Sequence, residues 1–212
     1  MITIYGRATS ANVQLVMWTI AELGLEHHRY DFGGAFGKTD TPEFAVMNPN
    51  RLVPVMQDGD LTMFESAAIM RYLCARYASD SFWPKDAEQR GRLDQWAEWG
   101  KISFATGLTP LFMNLVRTAP SKRNSAAIAK AEADAARLAE VLENHIGKRP
   151  WMAGETFTFA DIGVGYYLYR YFTMPFSRSA TPNLDAYYER LTSRPAYRSN
   201  VMISYDSLYV RD

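Results

Sequence analysis

All the strand-like patterns in this chain of 212 residues lie before residue 79, and every pattern after residue 86 is helical. The segment that separates them, residues 79–86, is polar and is interrupted by Pro84. A chain that groups its strands at one end builds one sheet there and packs its helices elsewhere. We therefore predict an α/β domain over residues 1–79 and an all-α domain over residues 87–212.

Composition and charge exclude several function classes. The 23 basic and 23 acidic side chains balance, so no net field attracts nucleic acid or an anionic membrane surface. No run of about 18 apolar residues predicts a membrane span, and the first residues do not resemble a secretory signal. The single cysteine, Cys74, excludes an internal disulfide and a Cys-x-x-Cys site. These features predict a cytoplasmic protein.

The first 32 residues have the pattern of a strand, a helix and a second strand. A β-branched and aromatic run at residues 2–5 ends at a glycine, and apolar residues then recur at helical spacing over residues 13–23. Ser10 or Asn12 can cap this helix. Alternation over residues 28–32 predicts the second strand.

A hairpin and a helix complete the first domain. Two apolar runs at residues 53–57 and 61–64 flank Asp58-Gly59, a dipeptide that tolerates the positive φ of a tight turn. Glu65-Ser66 then begins a helix whose apolar stripe includes Cys74, which is predicted to be a small buried side chain. In the second domain, a threonine and an aspartate at positions 158 and 161 form a capping box.

This order of elements, together with four spaced motifs, resembles the cytosolic glutathione S-transferase family. The resemblance covers the whole chain and rests on spacing, because each dipeptide alone is common. The motifs lie at residues 48–55, 65–73, 158–161 and 182–197.

The resemblance implies a thioredoxin-like fold for the first domain. The opening at residues 7–14 resembles the serine-type, theta- or nu-like bacterial branch, or one that uses threonine and asparagine, rather than the tyrosine or cysteine types. Arg51 departs from the family pattern, which often has glycine there, and its role is left open.

By this resemblance, Ser10 is the first candidate to stabilise the glutathione thiolate, followed by Asn12 and then Thr9. A thiol with a pKa of about 8.5 is only roughly 3% ionised at pH 7, so the protein must favour the anion. A hydroxyl at a helix N-terminus can do so. Without the resemblance, Ser10 is an ordinary helix cap.

The resemblance assigns the rest of the glutathione site to three short segments. Val53, before a cis Pro54, offers its backbone to the cysteinyl part, and Glu65 and Ser66 hold the γ-glutamyl end, although the pair also fits a plain helix start. Lys38 and Arg51 are candidates for the glycine carboxylate, although both residue types are usually solvated charges. Trp99, Phe104 and Phe112 are the candidate walls of an apolar electrophile pocket, although helical aromatic residues are more often core.

The predicted function is therefore glutathione transfer to an apolar electrophile by a homodimer. Glutathione is the co-substrate, and no metal, nucleotide, nucleic acid or membrane partner is expected. Two alternatives stay open: glutathione-dependent disulfide reduction, and a non-catalytic ligand carrier or interaction module on the same fold.

Overall fold

The computed structural model describes residues 1–212. The first part of the chain forms one four-stranded sheet with helices against it, and the rest of the chain is helical. The elements of the first part are β1 (Ile2–Tyr5), α1 (Ala11–Glu22), β2 (His27–Tyr30), α2 (Pro42–Met47), β3 (Val55–Asp58), β4 (Leu61–Phe64) and α3 (Ser66–Tyr77).

The sheet order is β2-β1-β3-β4. β1 pairs with β2 in parallel and with β3 antiparallel, and β3 pairs with β4 antiparallel. The β3–β4 turn brings Asp58 opposite Leu61, and Gly59 has the positive φ of +60° that the Asp-Gly pair predicted. The predicted α/β domain and hairpin are confirmed, and β2 ends at Tyr30, two residues earlier than its alternation suggested.

Helix α2 was not predicted from the sequence. It is only six residues long, and its first turn is fixed by Thr41, whose hydroxyl accepts a hydrogen bond from the amide of Phe44 at 3.2 Å. A helix this short offers too few periodic positions for a pattern to show.

The helical part begins at α4 after a loop that follows α3. Its elements are α4 (Ala87–Trp99), a π-helical turn (Gly100–Ala105), α5 (Thr106–Leu115), α6 (Ser125–Ile146), α7 (Phe159–Gly165), α8 (Leu168–Thr173), α9 (Pro182–Ser193) and α10 (Pro195–Asn200). None of these helices is both long and apolar enough to cross a membrane. The division at residues 79 and 87 falls between two helices and stays a prediction.

The capping box predicted from the sequence forms at the start of α7. Thr158 accepts from the amide of Ala160, and the carboxylate of Asp161 accepts from the Thr158 amide at 2.7 Å. The same carboxylate accepts from the Met152 amide and from the Tyr187 hydroxyl. Asp161 therefore ties the start of α7 to two other segments of the helical part.

Helix α1 joins the two parts of the molecule. It packs against α3 of the first part and against α7 and α10 of the helical part. The fully buried ring of Trp18 makes an edge contact with Tyr197 at 4.8 Å between ring centroids. Next to it, Arg194 donates to both oxygens of Glu22, at 2.8 and 2.5 Å. Forty-five buried apolar side chains from both parts form one continuous core.

Candidate active site

A cavity of about 250 Å³ opens at the carboxyl ends of β1 and β2. The loop after β1, the loop after β2, the segment before β3 and the start of α3 form its walls. The residues that line it are Arg7, Asn12, Gly33, Gly34, Thr39, Asn48, Arg51, Leu52, Val53, Pro54, Glu65 and Ser66.

Arg7 contributes a positive charge to this cavity, and no role was predicted for it from the sequence. It follows directly after β1, and its Nε is buried without a hydrogen-bond partner. A Cβ added at Gly33 or Gly34 would lie 3.1 or 3.0 Å from its guanidinium, so both positive-φ glycines leave room for it. Burial lowers the pKa of Arg7, and the charges of Arg117 and Arg170 lower it further. The position of Arg7 directly after a central strand is the sequence feature from which a role at the site could have been predicted.

The two candidates for the glycine carboxylate lie in different places. Arg51 lines the cavity, has a φ of +56°, and donates from Nη1 to the Asp40 carbonyl at 2.6 Å. Lys38 is exposed and lies outside the lining, with its ammonium 5.1 Å from the centre of the Phe32 ring. The structure therefore brings only Arg51 to the cavity.

The segment before β3 has the expected backbone. The Val53–Pro54 peptide bond is cis, and both residues line the cavity. The Asn48 side chain holds this segment, because its Nδ2 donates to the Leu52 carbonyl at 2.8 Å and its Oδ1 accepts from the Asn50 amide at 3.0 Å.

Glu65 and Ser66 lie at the N-terminus of α3. Glu65 has a φ of +69° and its side chain makes no capping hydrogen bond, so the carboxylate is free to meet a ligand. Ser66 is buried, and its hydroxyl donates to Oδ1 of Asn12 at 3.4 Å. The first amides of this twelve-residue helix have no partner within the helix.

A second cavity, of about 270 Å³, adjoins the first at Asn12, which lines both. The residues around it come from the start of α1, the π-helical turn, α5 and the α7–α8 region. They are Ser10, Ala11, Asn12, Lys101, Ala105, Thr106, Thr109, Phe112, Tyr166, Tyr167 and Arg170.

The three candidates for sulfur contact are thereby separated. Ser10 occupies the N-cap position of α1, makes no capping bond and faces the second cavity. Asn12 stands at the junction, where its Oδ1 also accepts from Nζ of Lys101 at 2.6 Å. Thr9 lines neither cavity, and its carbonyl accepts from Nη2 of Arg170 at 2.7 Å.

Of the three predicted pocket walls, the structure brings only Phe112 to the second cavity. Phe104 is 0% exposed and packs between Trp99 and Tyr171, with 5.8 Å between ring centroids in each case. Neither Trp99 nor Phe104 lines the cavity. The π-helical turn changes the register of the helix at this point, and a 3.6-residue period does not foresee that change.

The lone cysteine lies away from both cavities. Cys74 is fully buried, and burial raises the pKa of its thiol, as expected for a structural side chain. The histidines, cysteine and acidic residues do not form a group of three or more that could hold a metal ion.

Comparison with known proteins places this site in a family. The profile described as "Glutathione S-transferase, N-terminal domain" matches residues 4–81, and that described as "Glutathione S-transferase, C-terminal domain" matches residues 125–190. The chain belongs to the glutathione S-transferase family.

Individual relatives agree over nearly the whole length. Glutathione S-transferase GstB of Escherichia coli is 36% identical, covering 96% of this chain and 99% of its own. Glutathione S-transferase 3 of Zea mays is 31% identical, covering 93% and 92%. The theta class glutathione S-transferase of Xanthomonas axonopodis pv. citri, solved with glutathione bound, is 39% identical with a TM-score of 0.91, covering 96% of this chain and 98% of that one. The predicted family, fold and enzyme class are confirmed.

Proposed function

We propose that the first cavity binds glutathione, that Ser10 stabilises its thiolate, and that the sulfur attacks an electrophile in the second cavity. The observation that carries this proposal is that the two cavities meet at Asn12. The first cavity has charged groups that complement a small peptide, and the second is lined by the Ser10 hydroxyl, which makes no capping hydrogen bond.

The charges of the first cavity match those of glutathione. The tripeptide carries two carboxylates and one ammonium, and the cavity offers Arg7, Arg51 and Glu65. We assign the γ-glutamyl carboxylate to the Ser66 hydroxyl and the α3 amides, and its ammonium to Glu65. Arg51 then faces the glycine carboxylate, and the Val53 backbone pairs with the cysteinyl part.

Ser10 is better placed than its two rivals to meet the sulfur. Its hydroxyl has no capping bond to break, and it precedes a helix whose dipole favours an anion. The Oδ1 of Asn12 is already occupied by Lys101 and Ser66, which leaves its amide nitrogen as a secondary donor. Thr9 faces neither cavity.

The test is a titration of the thiolate absorbance of bound glutathione in the wild type, in Ser10→Ala and in the control Thr9→Ala. We expect a lowered thiol pKa in the wild type and in Thr9→Ala. In Ser10→Ala it returns by about one to two units toward the free value, a change that one charge-assisted hydrogen bond can produce.

Two results would contradict this assignment. An unchanged kcat/KM and thiol pKa in Ser10→Ala would move the role to Asn12. Turnover of a small disulfide well above that of a halogenated carbon compound would instead favour glutathione-dependent disulfide reduction.

We further propose that the protein is a cytoplasmic homodimer. The first part of the chain exposes large apolar side chains, with Val46 87% and Leu52 66% exposed, and a second copy would cover such surface. A monomeric mass in solution at micromolar concentration would contradict the dimer.

A further inference from the structure

The second cavity carries positive charge and no negative charge. Lys101 and Arg170 line it, and no aspartate or glutamate does. The first cavity, by contrast, contains Glu65 beside its arginines. A pocket built only for apolar electrophiles would gain nothing from two desolvated cations.

Arg170 is a buried cation without a counter-ion. It is 7% exposed, and it takes part in none of the ion pairs of the structure. Its guanidinium lies 4.5 Å from the centre of the Phe112 ring and 5.3 Å from that of Tyr167. Nη2 donates to the Thr9 carbonyl, but Nε is buried without a partner. A buried guanidinium with an unpaired charge and an unsatisfied N–H donor destabilises the protein unless a bound anion pairs with it.

Lys101 adds a second cation to the same cavity. Its Nζ donates to the neutral Oδ1 of Asn12 rather than to a carboxylate. Burial lowers its pKa, while the more distant charges of Glu65 and Glu98 act in the opposite direction.

Further positive charge lies close to the second cavity but outside its lining. Arg7 of the first cavity and Arg170 of the second are close enough for the charge of Arg170 to lower the pKa of Arg7, and the charge of Arg117 acts in the same direction. In the first cavity, the two carboxylates of glutathione already have their assigned partners, which are Arg51 for the glycine end and Ser66 with the α3 amides for the γ-glutamyl end. Lys101 and Arg170 therefore remain for the other substrate.

We infer, on the basis of the proposed function, that the electrophile is an anion whose carboxylate binds Arg170 and Lys101 in the second cavity. The rings of Phe112 and Tyr167 provide apolar contact for the carbon skeleton that carries the carboxylate. This inference differs from the expectation of an apolar electrophile, because it adds a carboxylate to the apolar skeleton.

The reaction of such a substrate requires only glutathione and the substrate itself. For a halomethyl carboxylate, the glutathione sulfur forms a bond to the methylene carbon as the carbon–chlorine bond breaks. Chloride leaves with the electron pair, and the proton lost by the thiol goes to solvent. The carboxylate keeps its charge throughout, so its role is binding and orientation.

The test compares para-(chloromethyl)benzoate with its methyl ester, which has the same reacting carbon and no charge. We expect the wild type to prefer the carboxylate by about tenfold or more in kcat/KM, as a charge-assisted hydrogen bond in a buried site allows. Rates are corrected for the uncatalysed reaction of each compound.

The variants Arg170→Met and Lys101→Met remove one charge each, and Arg170→Lys and Lys101→Arg keep it. The preference should fall toward unity in the first pair and persist in the second. Lys148→Met, an exposed cation outside both cavities, should leave the preference unchanged. Because the preference is a ratio within one variant, a general loss of active protein does not alter it.

The outcomes separate this inference from the proposed function. Equal turnover of acid and ester by the wild type, or a preference that survives both neutral variants, overturns the anionic electrophile and leaves conjugation in place. Normal glutathione binding without turnover of either compound overturns the proposed conjugation and this inference with it.

Discussion

The two cavities that meet at Asn12 are built in different ways. The first depends on backbone geometry, with the cis bond before Pro54, the positive φ of Glu65 and Arg51, and the amides at the start of α3. The second depends on side chains that four separate segments bring together. Backbone features of this kind arise from short local motifs, whereas a wall of side chains can be altered one residue at a time. The first cavity is therefore suited to one constant ligand and the second to a ligand that varies.

The helical wall of the second cavity depends on a close backbone contact. A Cβ added at Gly100 would lie 2.3 Å from the carbonyl oxygen of Gly163, so the π-helical turn and α7 touch through their main chains. We expect Gly100→Ala to lower the free energy of unfolding by about 3 kcal/mol, at the upper end for an overpacked core, because backbone cannot move aside. Urea unfolding measures this change.

The matched control is Gly91→Ala, in the preceding helix α4. A Cβ there meets nothing within 4 Å, so alanine should be neutral or should stabilise by about 0.5–1 kcal/mol through helix propensity. Equal stability of the two variants would show that the contact between the turn and α7 is not tight, and that the second cavity is a looser structure than we infer.

A second prediction concerns the anchor of α7, which leads into the wall residues Tyr166 and Tyr167. Burial raises the pKa of Asp161 to about 6, although its hydrogen bonds with Met152, Thr158 and Tyr187 act in the opposite direction. Because this folded-state pKa lies above the ordinary value, the contribution of Asp161 to stability is greatest when it is protonated and is lost as pH rises through about 6. Relative to Asp161→Asn, the wild type should lose about 2 kcal/mol of unfolding free energy between about pH 4 and pH 7.

Urea unfolding of both proteins across this pH range measures the difference, and the comparison cancels the other titrating groups. If the unfolding free energies of the two proteins change with pH in the same way, the hydrogen bonds cancel the effect of burial, and the pKa of Asp161 is not raised. Glutathione binding should show no matching pH dependence, because Asp161 lies outside the first cavity.

The same contrast explains what the sequence could predict. The strands, the hairpin at Gly59 and the capping box at Thr158 follow from local patterns, and all are present. Most of the first cavity also lies in short motifs, although no role was predicted for Arg7 or Thr39. The second cavity was not predictable in this way. Lys101 lines it from a π-helical turn, which no sequence period indicates, and in the sequence Arg170 only interrupts an apolar segment.

The smallest expected effect distinguishes two cations of the glutathione-binding part. Arg51 and Lys38 both have a positive φ and both are exposed, but only Arg51 lines the first cavity. We expect Arg51→Met to raise the KM for glutathione about five- to tenfold, the value of a partly solvated charge-assisted contact, with little change in kcat. Lys38→Met should change it by less than about twofold, since that ammonium lies over the Phe32 ring.

Steady-state kinetics with glutathione as the varied substrate measure both effects, and the paired design cancels the loss of one surface charge. The result also sharpens the contrast between the cavities, because the Arg51 effect should be the same for the acid and the ester of the chloromethyl pair. An effect of Arg51→Met on that preference would place Arg51 at the second substrate. A larger effect of Lys38→Met than of Arg51→Met would mean that the loop after β2 closes over glutathione, and the first cavity would then be less preformed than its backbone suggests.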